Sequence, residues 1–145
     1  MIRKSVQLTL WFLDKIDFIA PLLTRIVVGS VFTLAGWGKL HSMPDVIQFF
    51  QSLGIPYAHY QAPFVAITEL LCGSMLILGL LSRIVSIPMI CIMIVALATA
   101  KKAEITVFSD LFTMSDFLFI PLLLWIVVKG AGFLSADYFI KKLMK

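Results

Sequence analysis

Residues 62–81, APFVAITELLCGSMLILGLL, place one acid, Glu69, inside a run otherwise long and apolar enough to cross a bilayer. A helix of that length spans about 30 Å, the thickness of a hydrocarbon core. An ionised carboxylate at such depth costs a few kcal/mol even on lenient insertion scales, so Glu69 must face a partner or a water-filled cavity. Pro63 suits the first turn of this helix.

Three further stretches have the same character: 20–40, 84–100 and 111–128. Pro21 and Pro88 sit near the starts of two of them, and the last contains Asp116 and Pro121, where a kink is open. The expectation is an all-α chain: a single domain over residues 1–145, built as a four-transmembrane-helix bundle. Ser82-Arg83 is read as the whole connector between the second and third spans, which makes them a tight antiparallel hairpin. Between the first and second, Met43-Pro44-Asp45 reads as a helix start. Val46, Ile47, Phe50 and Leu53 form an apolar face, and Gly54 with Pro56 ends the element. This predicts a short helix resting on the membrane surface.

Composition agrees with a membrane protein. Hydrophobic residues make up 61% of the chain and charged ones 14%, with a mean hydropathy of +1.03. Soluble domains lie near half apolar and a quarter charged. The net charge of +4 comes largely from basic ends, with no basic stripe of the kind nucleic acid requires, so the expected partner is the lipid bilayer. Cys72 and Cys91 form no metal-ligand or redox spacing and read as packing thiols. No metal site is expected, and His41 and His59 read as solvated loop residues. The start of the chain lacks the shape of a signal peptide. Trp11 and Phe12 suggest an amphipathic segment at the interface instead.

Counting Lys and Arg by side sets the orientation. With the N-terminus inside, Arg3, Lys4, Lys15, Arg25, Arg83, Lys129, Lys141, Lys142 and Lys145 lie on or near the inner side. Lys39, Lys101 and Lys102 lie outside. The asymmetry puts both termini in the cytoplasm.

Arg25, Gly29, Phe32, Gly36 and Lys39 fall within about 40° of one line on the first helix. Val65, Glu69, Gly73, Leu76 and Leu80 share a face of the second in the same way. Two readings of the glycines stand side by side: a seam for close helix approach, or the wall of a slot for a flat ligand. Lys39, near the same boundary, is the nearer candidate partner for Glu69, Arg25 lying roughly 12 Å from Glu69 along the axis. Asp116 enters from the same end. The candidate ligand-binding or proton-active set is therefore Arg25, Gly29, Gly36, Lys39, Glu69, Gly73 and Asp116.

The order Arg25-x3-Gly29, Phe32, Gly36-x2-Lys39-Leu40, then Phe49 or Phe50 with Leu53-Gly54-Ile55-Pro56, resembles the DoxX family of small bacterial membrane proteins. The likeness continues through Glu69-x3-Gly73, Leu78-Gly79-Leu80 and Arg83 to Gly130-x-Gly132-x2-Ser135-x-Asp137. It implies a multi-pass four-helix bundle in the bacterial inner membrane, linked to quinone-dependent oxidation. That link points to a non-catalytic subunit or accessory of a quinone-linked oxidoreductase, with quinone the candidate cofactor and a redox complex or a second copy the candidate partner. A small proton- or solute-coupled carrier gated by Glu69 is the alternative. A membrane assembly or scaffold component without a ligand is the third.

Overall fold

The computed structural model describes residues 18–102, 105, 108–132 and 134–144, so the expected interfacial segment around Trp11 and Phe12 lies outside the described residues. Every regular element among these residues is helical: α1 (Ile19–His41), α2 (Met43–Ser52), α3 (Ala58–Leu78), α4 (Ser82–Ala98), a 3₁₀ helix (Phe108–Thr113), α5 (Ser115–Lys129) and α6 (Ala136–Leu143).

Local chemistry explains the boundaries. Lys39 and His41 lie in the last turn of α1, where cations complement the exposed carbonyl end. α2 begins as expected, with Pro44 in its first turn and Asp45 beside it. It ends at Gly54, whose φ of +70° turns the chain. Helix α3 closes in the same manner at Gly79, φ +70°, with Leu80 N–H reaching Met75 O at 2.9 Å and Gly79 N–H reaching Leu76 O at 3.1 Å.

Several expected boundaries move. The α3–α4 connector is Gly79-Leu80-Leu81 rather than Ser82-Arg83, which form the first turn of α4. Leu81 adopts φ +49°, a region costly for a branched side chain, and the Asp137 carboxylate accepts the N–H groups of Leu81 at 2.7 Å and Ser82 at 3.1 Å. The turn closes early because a residue 55 positions downstream of Ser82 supplies the cap. The last expected span, 111–128, is divided. Met114 is extended (φ −86°, ψ 125°), so residues 111–113 finish the 3₁₀ helix and α5 starts at Ser115. Helix α6, capped by Ser135 Oγ accepting Tyr138 N–H at 3.2 Å, was not expected; its eight residues make a pattern too short to stand out in the sequence.

α1 and α3 share the most extensive interface and α4 and α5 the next, so the bundle is two helix pairs joined face to face. Between them lies a core of Val28, Phe32, Leu76, Val85, Met89, Met93, Leu123 and Ile126. α1 and α3 are each long and apolar enough to cross a membrane, and only 28% of the apolar stretch of each is buried. A core helix of a soluble protein would be mostly covered. Here Leu34, Phe64, Leu71, Leu78, Ile84, Ile94 and Val128 are exposed instead, the surface expected of a protein solvated by lipid. α4 and α5 are apolar but shorter, at 17 and 15 residues.

Candidate functional site: a cavity walled in part by a buried ion pair

Glu69 sits near the middle of α3 and is 1% exposed. Lys39, in the last turn of α1, lays its Nζ against both carboxylate oxygens at 2.5 Å, while its own side chain is 30% exposed. One helix thus offers a snorkelling cation to an acid that the other has carried into the interior. The charge-assisted geometry supplies the partner a buried carboxylate needs.

The pair forms part of the wall of a cavity of about 730 Å³. Val31, Phe32 and Ala35 of α1 and Phe64, Val65 and Thr68 of α3 make one side. Ile87, Pro88, Cys91, Ile92 and Ala96 of α4 and Phe119 of α5 make the other. Val46, Phe49 and Phe50 of α2, with Leu53 and Ile55, lie across it. Asp116 completes the polar end and is close enough for its charge to act on Glu69. Size and character match a small-molecule site, mostly apolar with a few polar anchors.

The expected site residues separate into three places. Lys39, Glu69 and Asp116 come together in the cavity wall. Gly29, Gly36 and Gly73 do not line it. They form the α1–α3 seam, where a Cβ on Gly36 would lie 2.5 Å from Leu70 N and 2.7 Å from Ala66 O, and one on Gly73 2.7 Å from Thr33 N. Of the two readings of the Gly29–Gly36 face, the packing seam is the one found, and the cavity lies beside it instead of on the glycine face. Fully buried Ala62 and Ala66 extend the same small-residue contact along α3.

Arg25 is a correction to the expected site. It is 1% exposed, but it belongs to the opposite end of the bundle. Its Nη2 donates to Leu134 O at 2.6 Å, Asp137 acts on its charge, and Gly79 leaves room where a Cβ would overlap the guanidinium. Its Nε and Nη1 have no hydrogen-bond partner among the described residues. The Gly130–Asp137 segment thus has a structural role: it ties the α3–α4 turn to Arg25 and α6. Arg83 joins this end by donating to Lys129 O at 3.3 Å.

Sequence reasoning missed the cavity's apolar walls and Cys91, which is exposed and lines the cavity instead of packing in the core. The apolar face of α2 was expected to rest on the membrane surface; Val46, Phe49 and Phe50 of that helix line the cavity. The histidines stay outside: His41 rests on the Trp37 ring at 4.4 Å, and His59 meets Gln51 at 3.3 Å.

The DoxX family model matches residues 20–102, which include the ion pair and most of the cavity wall. The chain belongs to the DoxX family. This DoxX protein is 32% identical to a Bacillus subtilis (strain 168) protein named "Putative oxidoreductase CatD", over 90% of this chain and 93% of that one. It is 34% identical to the uncharacterized membrane protein Rv3486 of Mycobacterium tuberculosis (strain ATCC 25618 / H37Rv), over 53% and 48% of the two chains. It is 28% identical to the inner membrane protein YqjF of Escherichia coli (strain K12), over 49% and 53%. No solved structure matches the chain. Membership in this family, with the exposed apolar helices, makes it a membrane protein.

Proposed function

We propose that this DoxX protein is an inner-membrane accessory subunit that holds a flat, mostly apolar molecule, with a quinone first in line, for a redox partner. The observation that carries the reading is the apolar cavity of about 730 Å³ with the buried Lys39–Glu69 pair in its wall. The name of the Bacillus relative is in keeping with redox work. The wall's polar groups narrow the ligand. Lys39 is already engaged by Glu69, and Asp116 adds a second acid, so an anionic head such as a fatty-acid carboxylate is disfavoured. A ring head that donates a hydroxyl to a carboxylate fits, which is the quinol form of a quinone.

In the same reading α1, α3, α4 and α5 all cross the membrane with both termini cytoplasmic. The Lys and Arg asymmetry supports this, and local thinning of the bilayer accommodates the shorter α4 and α5. Reporter fusions after Lys145 and within residues 43–60 should report opposite sides; a cytoplasmic signal from 43–60 overturns the orientation.

Saturating quinone or quinol should raise the melting temperature of purified protein by on the order of 5 °C. Ala35→Phe, which fills the cavity from α1 without entering the glycine seam, should remove that shift while leaving membrane insertion intact. Absence of any shift with the wild-type protein would rule out the ligand reading and favour a scaffold.

A further inference from the structure

A second hollow, of about 460 Å³, lies beside the apolar cavity and is lined by Lys101, Asp110, Thr113, Met114, Ser115 and Asp116. Its wall is polar where the first is greasy. Among the described residues, Asp116 is the one side chain common to both walls. It is half-buried in the first turn of α5, the cap position is taken by extended Met114, and no hydrogen bond or ion pair engages its carboxylate among the described residues. A capping acid would be bonded to backbone N–H groups; this one is left between a buried acid and a polar cleft.

We propose that Asp116 passes protons between the buried Lys39–Glu69 pair and the polar cleft. The charged and titratable groups around the path are Lys39 from α1, Glu69 from α3, Cys91 from α4, Asp116 from α5, and Lys101 and Asp110 in the cleft. α2 contributes Val46, Phe49 and Phe50 to the cavity and no titratable group. In the outward step the O–H bond of protonated Glu69 breaks. Water in the cavity carries the proton to the Asp116 carboxylate, where a new O–H bond forms. Asp116 then releases that proton to cleft water and regains its charge. Lys39 takes no part in the transfer and holds the regenerated Glu69 carboxylate. One proton moves and no electron does, so the relay does not depend on a ligand. Asp116 is the route because, among the described residues, it alone lines both hollows; the other polar side chains of the apolar cavity, Gln61, Thr68, Cys91 and Thr99, are not part of the cleft wall.

The test follows the Glu69 carboxyl by infrared spectroscopy after a pH jump, in vesicle-reconstituted protein without quinone, with the band identified by its loss in Glu69→Gln. Asp116→Asn, which keeps the shape and removes the titrating group, should slow the Glu69 response by at least about tenfold, in line with the cost of losing a positioned proton carrier. Asp116→Glu should restore it. A purely structural Asp116 would leave the rate of Asp116→Asn at the wild-type value, and that result overturns the relay. Should Asp116→Asn not fold, Thr113→Trp blocks the exposed cleft with Asp116 in place and should slow the response similarly. An unchanged rate there also overturns the relay. Because no quinone is present, loss of the relay and loss of the ligand reading are separate outcomes.

Discussion

Lys39→Met is expected to cost about 3–5 kcal/mol of stability, the usual penalty for leaving a buried charge without its partner. The asymmetry of the pair makes the expectation specific. Glu69 is nearly inaccessible, whereas Lys39 is 30% exposed and can swing its ammonium toward the headgroups. Glu69→Gln should therefore be the milder change, since it strands only a cation that has an exit. Combining the two changes should recover much of the loss, because a buried pair replaced by uncharged groups of similar volume is often neutral or stabilising. The measurement is unfolding in detergent across the complete double-mutant cycle. Strictly additive losses would mean that the two side chains do not stabilise one another, whatever their separation.

Gly36→Leu is expected to be at least as damaging, at about 3 kcal/mol or more, and to leave little folded protein. The atoms a side chain would meet at Gly36 are the backbone of Leu70 and Ala66, which cannot rotate away. Relief requires the two helices to part. Gly38 is the internal control: a methyl group there would meet nothing within 4 Å, so Gly38→Ala should be neutral or stabilise the helix by up to about 1 kcal/mol. Thermal melting and size-exclusion profiles of the two variants, side by side, check the contrast. Equal behaviour would mean that the seam tolerates separation and that close approach contributes little.

The ion pair was legible because opposite charges inside two apolar runs have few ways to be satisfied, and helix rise alone puts Lys39 closer than Arg25 to Glu69. The rise along α1 also separates Arg25 from Lys39 by roughly 21 Å, enough to place them at opposite ends of the bundle despite their common stripe. What the stripe could not give was the surface opposite it. Helical periodicity places Gly29 and Gly36 on one face, but whether that face meets a backbone or a hollow depends on Ala66, Leu70 and Gly73, far along the chain on another helix. The cavity is less visible still, since its wall draws side chains from five helices that only the assembled fold brings together. The turn at Leu81 shows the same dependence. Nothing in Gly79-Leu80-Leu81 announces that Asp137 will hold it.

Arg25, Asp137 and the α3–α4 turn fasten the two helix pairs at one end, while the cavity separates them at the other. Within each pair the contacts are close, and in the α1–α3 pair they are backbone against backbone, which leaves no slack for sliding. The molecule is therefore built like a clothes-peg: two stiff jaws, a fixed spring end, and a mouth whose width can change with little rearrangement inside either jaw. In the ligand reading, a bulkier guest would part the pairs at the cavity end, between Lys39 of α1 and Asp116 of α5, and leave the fastened end undisturbed. The distance between those two side chains would then register the size of a bound molecule.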